Sequence, residues 1–322
     1  MRCLTRIQGL HAFYRATRNP ISCYSSSAYP SDAIKVCSNL IRKFQNVGIE
    51  DTESRFSAEY IIAHVLGKKM FHQVPGGQII NEAQLTRINE LAMKRMERMP
   101  LQYVIQEWDF HEFTVKLSPP VLIPRPETEE LVQYMIQHVG QNKSCRTFLE
   151  VGCGSGAVTL CLLSKLPWMT AVACDISCVA CDLTLENLTK HQVQGRAVVL
   201  NMDFKSAETM QYLSRLGPFD IIVSNPPYIP TADIDDLDPE VRRYEDRGAL
   251  DGGTDGLDFI RHLLAVSPML LKKNGRLWLE TGLEQHKTIQ SIINSDSNCA
   301  LEFVKSIEDF TRRERFCLIE RY

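Results

Sequence analysis

Residues 221–228 read Ile-Ile-Val-Ser-Asn-Pro-Pro-Tyr. The apolar, branched start is strand-like, and prolines cannot donate to a sheet ladder, so the strand must end here. Asn225 is thereby fixed between a strand end and a rigid Pro226-Pro227. That placement suits one demanding reaction. An amide or exocyclic amine nitrogen is a poor nucleophile because its lone pair is delocalised, and methylating it requires holding its N–H bonds so that the lone pair faces the methyl group. The Asn225 side-chain oxygen and the Pro226 carbonyl are two acceptors that can converge on such a nitrogen, and the prolines lock their relative geometry. Tyr228 offers a face on which a planar group can stack. Neither acceptor is a strong base, so the proton must leave to another group or to water. A plain strand-ending turn is the alternative, and its weight falls once a second motif stands beside it.

That motif is Leu149-Glu150-Val151-Gly152-Cys153-Gly154-Ser155-Gly156-Ala157. Gly152, Gly154 and Gly156 lie between a strand and a helix, where they let the backbone approach a ligand closely and aim helix N–H groups at it. Asp175 ends the next strand, where a carboxylate can accept both hydroxyls of a ribose. Glu150 is the difference from a dinucleotide site: beside the loop it repels a pyrophosphate but suits a ligand with an ammonium group. S-adenosylmethionine (SAM) has a ribose, an adenine, an ammonium and no phosphate, which makes NAD the second choice of cofactor. Asp203 and Phe204 follow the third strand, where an acid and an aromatic ring can hold the adenine edge and face.

The elements that position these residues are legible in outline. Ser31-Asp32 is a good N-cap for a helix carrying Cys37, Leu40, Ile41 and Phe44 on one face. A second helix is predicted from Ser57 to Gly67, and a third from Glu82 to Met99 with Leu85, Ile88, Ala92, Met96 and Met99 on one stripe, stopped by Pro100. Residues 32–100 thus form a small helical module, and residues 101–120 a linker whose aromatic stretch Trp108–Leu117 is predicted as a hairpin. From Cys145 onward, strands and helices alternate to the chain end. This predicts an open, mostly parallel sheet with helices on both faces over residues 121–322, and ligands in such sheets sit beyond the carboxyl ends of the strands at the switch point.

Charge is distributed unevenly. The first 31 residues hold four arginines and no acid, with Leu4, Ile7, Leu10 and Tyr14 at helical spacing and a serine patch at Ser25–Ser27. This is the profile of a mitochondrial transit peptide, so the mature protein is expected in the matrix. Residues 119–322 carry 21 basic against 28 acidic side chains. Such a half is a poor match to a phosphate backbone, so stable nucleic-acid binding is not expected. No apolar run is long enough to span a bilayer. Eleven cysteines, an odd number in a chain bound for a reducing compartment, read as thiols. Cys178 and Cys181 form a lone CxxC without further ligands at zinc spacing, so no metal site is expected. The chain's own Gly76-Gly77-Gln78, after Pro75, reads as turn chemistry.

Five stretches in order, Val121–Val132 (VLIPRPETEELV), Leu149–Ala157, Cys174–Ser177 (CDIS), Ser224–Pro230 (SNPPYIP) and Tyr244–Asp258 (YEDRGALDGGTDGLD), resemble the HemK/PrmC family of release-factor glutamine methyltransferases. The resemblance covers residues 32–322. It implies a class I SAM-dependent methyltransferase with a seven-stranded, Rossmann-like sheet, and a helical domain that grips class I peptide-chain release factors. The implied reaction is N5-methylation of the glutamine in their Gly-Gly-Gln loop; with the leader, the mitochondrial factors are the expected partners, and a monomer is expected. Carried over, Glu150, Gly152, Gly154, Gly156, Asp175, Asp203, Phe204 and Asn225 contact SAM, while Asn225, Pro226, Pro227 and Tyr228 hold the substrate amide. Residues 124–127 (PRPE), a good helix start, gain a role as a lid only from the resemblance, and Asp251-Gly252-Gly253 with Asp255-Gly256 is expected to be a flexible active-site loop or a plain turn. Two positions depart from the family: Gln106-Glu107 and Asp309–Arg315 lack a glycine common there, which bears on two turns. The rival reading is a DNA or RNA adenine N6-methyltransferase, whose exocyclic amine poses the same problem; a non-catalytic SAM-fold scaffold is the third.

Overall fold

The computed structural model describes residues 32–296 and 300–322; the leader expected over residues 1–31 lies outside the described residues. The described chain divides into two compact units, residues 32–107 with 239–244, and residues 108–238 with 245–322. The first half contains helices α1 (Ala33–Asn46), α2 (Asp51–Val65), α3 (Glu82–Met96) and α4 (Leu101–Ile105), then the hairpin strands β1 (Glu107–Phe110) and β2 (Phe113–Lys116). Next come α5 (Pro126–Val139), β3 (Thr147–Val151), α6 (Ala157–Lys165), β4 (Thr170–Asp175), α7 (Cys178–Lys190), β5 (Ala197–Asn201), α8 (Ala207–Leu216) and β6 (Phe219–Ser224). The chain ends with α9 (Pro239–Tyr244), α10 (Asp258–Leu270), β7 (Leu271–Glu280), α11 (Gln285–Ser295), β8 (Leu301–Glu308) and β9 (Glu314–Arg321).

In the helical unit, Asp32 caps α1, its carboxylate accepting from the Ile34 and Lys35 N–H groups. Cys37, Leu40 and Phe44 of the expected stripe are buried, as are Ile61 and Ile62 of α2. The third helix departs from expectation. Arg95, not Met96 or Met99, is the fully buried side chain near its end. Its guanidinium donates to Ser57 Oγ (3.1 Å), Glu53 Oε1 (2.5 Å) and Glu240 Oε1 of α9 (3.0 Å), so each charge is met and the long side chain stays inside. Pro100 ends one helix and starts another: its carbonyl accepts from Tyr103 and Val104, and the missing N–H of proline is no loss at a helix start. Leu101, Tyr103, Val104 and Ile105 are buried, and this apolar run makes α4 at the start of the stretch expected as a linker. Gln106 closes it at φ +63°, the left-handed conformation that glycine adopts at little cost, which is why a glycine is the easier residue there. Pro75–Gln78 is a turn, closed by the Gln78 N–H on the Pro75 carbonyl at 3.1 Å.

Seven of the described strands form one sheet in the order β5-β4-β3-β6-β7-β9-β8. The first five are parallel; β9 runs antiparallel to both β7 and β8. The strands near the middle carry continuous apolar runs because both faces are covered. Leu149, Val151, Ile222, Leu277 and Leu279 pack with Leu263, Leu264, Ile289 and Ile293 of the flanking helices, and each fully buried aliphatic contributes about 1.5–3 kcal/mol. The register pairs Val151 with Ser224 and Ser224 with Leu279. Gly152, Asn225 and Glu280 therefore leave or end three adjacent strands at one level. The strand order reverses between β3 and β6, which makes this level the switch point. The second glycine-poor turn, at Asp309, is held by the Asp309 carboxylate, which accepts from the Thr311 and Arg313 N–H groups, with Arg312 at φ +60°.

Candidate active site

The glycine loop follows β3 with Gly152, Gly154 and Gly156 at φ +78°, +53° and +76°. The Gly154 N–H donates to Asp175 Oδ2 (3.0 Å) and the Ser177 N–H to Oδ1 (2.9 Å), so the loop and the strand-end carboxylate form one unit. Each carboxylate oxygen keeps a further lone pair on which a ribose hydroxyl can donate. A buried Asn187 amide ties the loop to the hairpin, donating to Ser155 O (2.9 Å) and Lys116 O (3.0 Å). The residues thus fit a nucleoside with vicinal hydroxyls.

Two side chains given to this ligand from the sequence also have partners within the fold. Glu150 is 4% exposed, and its Oε2 accepts from the Thr159 N–H (3.0 Å) and the Thr159 hydroxyl. Gly156 stands at the N-cap of α6 without a side-chain bond, so Glu150 satisfies an orphan donor of that helix's first turn from outside. Burial pushes its carboxyl up to about 8; the bonds from Thr159 oppose this and the charge of Asp175 adds to it. Phe204 is likewise 4% exposed, its ring packed against Phe259 and His262. Asp203 remains exposed, with Oδ1 accepting from the Lys205 N–H (2.9 Å).

The second half of the site begins where β6 stops. A Cβ on Gly152 would stand 4.0 Å from the Asn225 carbonyl oxygen, so the glycine loop and the amide loop adjoin. Asn225 Nδ2 donates to Thr128 Oγ1 (3.1 Å), and Thr128 donates to Glu280 Oε2 (2.7 Å). The Tyr228 hydroxyl donates to Glu280 Oε1 (3.3 Å), and Tyr228's carbonyl accepts from Gln285 Nε2 (3.0 Å). Burial and the neighbouring Glu280 push the Tyr228 phenol up, so it stays a neutral donor. Thr128, Glu280 and Gln285 were not singled out from the sequence. Glu280 had a signal, a carboxylate ending a strand beside the Asn-Pro-Pro-Tyr strand; Thr128 had none beyond its place in the resemblance.

Of the two readings of residues 251–256, flexible loop or plain turn, the structure shows a hydrogen-bonded clamp. Ile229 donates to Leu250 O (3.0 Å), Gly252 to Ile229 O (2.8 Å) and Thr231 to Gly253 O (2.9 Å), a short parallel bridge along the residues after Tyr228. The loop is anchored in turn: Arg125, at the start of α5, donates to both oxygens of Glu245 at 2.7 Å, and that carboxylate is 1% exposed. Replacing Arg125 by methionine leaves this carboxylate without its cation, and unfolding free energy should fall by about 2 kcal/mol in urea titration, given that Arg125 is partly solvated. Both bonds leave one guanidinium nitrogen, so lysine, which keeps the cation on a shorter stem, should recover part of the loss.

A family model described as PrmC N-terminal domain matches residues 38–105, and one described as Methyltransferase small domain matches residues 128–237. The chain is 42% identical over 300 residues to the human MTRF1L release factor glutamine methyltransferase, covering 90% of this chain and 88% of that one. It is 34% identical over 255 residues to the release factor glutamine methyltransferase of Geobacter sulfurreducens, covering 78% and 84%. Among solved structures, a release-factor-specific protein-(glutamine-N5) methyltransferase from Alicyclobacillus acidocaldarius matches at TM-score 0.40 and 22% identity, covering 64% of this chain and 98% of that one.

Proposed function

We propose the function of this chain from one premise: it belongs to the release factor glutamine methyltransferase family. It is a SAM-dependent methyltransferase, and its reaction is N5-methylation of the glutamine side chain in the Gly-Gly-Gln loop of class I translation release factors. The observation that carries this reading is the Asn225 amide, anchored through Thr128 and set beside the glycine loop at the switch point.

When bound, SAM supplies an electrophilic methyl group on a sulfonium sulfur. The glycine loop and Asp175 would hold it, with Asp203 at the next strand end. Asn225 Oδ1 and the Pro226 carbonyl accept the two N–H bonds of the substrate amide, which fixes the nitrogen and turns its lone pair toward the methyl. The fixed Pro226-Pro227 backbone pre-organises both acceptors, so the orienting entropy is met before the reaction rather than during it. Tyr228, tethered at Glu280 and Gln285, stacks beside the planar amide.

The partners we assign are the mitochondrial class I release factors, with the enzyme acting as a monomer in the matrix after loss of residues 1–31. The acid-free, arginine-bearing leader supports the location. Among the described residues, no helix is long and apolar enough to cross a membrane. The test is fragment mass spectrometry of a mitochondrial release factor incubated with SAM and residues 32–322. A single methyl on the glutamine of the Gly-Gly-Gln loop is expected. Methyl incorporation into adenine of added DNA or RNA, with none into the protein, overturns the reading in favour of the rival.

A further inference from the structure

We propose that Thr128 and Glu280 are positioning residues that select which end of the Asn225 amide faces the substrate. The inference rests on the amide-methylating reading above and assigns a task to two side chains that do not themselves meet the substrate.

The argument is one of donor and acceptor counting. A threonine hydroxyl has one proton, and here it is donated to Glu280 Oε2 at 2.7 Å. Toward Asn225, Thr128 Oγ1 therefore presents a lone pair, and only the Nδ2 end of the amide can satisfy it, at 3.1 Å. Turning the amide over would set Oδ1 against another oxygen lone pair. Glu280 thus dictates the hydroxyl's direction, the hydroxyl dictates the amide's, and Oδ1 is left as the arm that accepts a substrate N–H. Thr128 is 4% and Glu280 1% exposed, so water does not offer either group an easy substitute partner.

The arrangement depends on Glu280 being ionised, because a protonated carboxyl can donate to Thr128 and release the hydroxyl proton toward Asn225. The groups that face Glu280 are Thr128 and Glu127 from α5, Tyr228 from the loop after β6, and Arg315 from β9. Burial pushes the Glu280 carboxyl up to about 7; the Thr128 bond, Arg315 and Tyr228 oppose this, and Glu127 adds to it. An acid raised in this way becomes ionised as pH rises through about 7. Activity should therefore climb with pH across that range and fall off below it.

The experiment measures kcat and KM for a release factor from pH 6 to 8.5 with Thr128→Val, Thr128→Ser and Glu280→Gln beside the wild type, each checked for an intact thermal transition. Thr128→Val is expected to lower kcat about tenfold with KM changed less than twofold, equivalent to one lost orienting bond. Thr128→Ser should restore most of kcat. Glu280→Gln should lower kcat and flatten the acid limb of the profile. Wild-type kcat in Thr128→Val, or failure of serine to rescue while the protein stays folded, overturns the inference and leaves the amide-methylating reading standing. A wild type that methylates no release factor overturns that reading, and this inference with it.

Discussion

Asn225→Ala is expected to lower kcat for glutamine methylation by about 10²–10³-fold while the protein stays folded. The magnitude follows from removing one pre-organised polar group aimed at the reacting atom. Alanine deletes Oδ1, so one N–H of the substrate amide loses its acceptor and the nitrogen lone pair is no longer held toward the methyl. It also removes the donor that Thr128 Oγ1 accepts from at 3.1 Å, a loss of about 1 kcal/mol in stability. Asn225→Asp separates the two effects. It keeps the shape and an oxygen, but brings a second carboxylate to a Thr128 already engaged with Glu280, and it should be as impaired as alanine. The measurement is single-turnover methyl transfer with denaturation curves in parallel. An alanine variant within tenfold of wild type would show that the Pro226 carbonyl alone orients the substrate.

The largest stability effect is expected from Gly256→Ala, at about 3 kcal/mol. A Cβ there would stand 2.2 Å from the Tyr228 carbonyl oxygen and 2.6 Å from Gln285 Nε2, and the residue sits at φ +76°. The left-handed conformation accounts for about 1 kcal/mol. The remainder is overlap with a backbone carbonyl that the clamp at 250–253 prevents from retreating. Gly77→Ala is the internal control, since Gly77 shares φ +76° but has nothing within 4 Å of its would-be Cβ. It should lose only the conformational part, about 1 kcal/mol. Equal losses at the two glycines, read by chemical denaturation, would refute the close-approach account. Because Gln285 and the Tyr228 carbonyl would both be displaced, the Gly256 variant should also lose activity that the Gly77 variant keeps.

These two sites differ in how far their roles could be read in advance. Asn225 announced itself, because an asparagine between an apolar strand and two prolines is chemistry written in local sequence. The need for Gly252, Gly253 and Gly256 was visible only as a loop, and looseness was the natural reading of so much glycine. In the structure the same residues mark close packing: a Cβ on Gly252 would stand 2.7 Å from the Pro227 carbonyl oxygen, too close for a side chain though less so than at Gly256. Glycine signals freedom or crowding, and only the neighbours distinguish the two.

Local chemistry by itself determined the alternating strand–helix order of residues 121–322, the strand stop at Pro226, the cap at Asp32 and the glycine turn after β3, because each depends on residues close in the chain. What tertiary structure decided depends on partners far apart in it. Arg95 is buried because Glu53 and Glu240 meet it, and Glu240 lies 145 residues away. Glu150 supports the start of α6 because folding places Thr159 against it in a dry site, and Phe204 packs as it does because Phe259 and His262 take its neighbourhood. Thr128, Asn225 and Glu280 become one hydrogen-bonded chain only when β6 and β7 lie side by side and α5 reaches them. A side chain's type fixes which bonds it can make; the fold alone fixes which of them it makes.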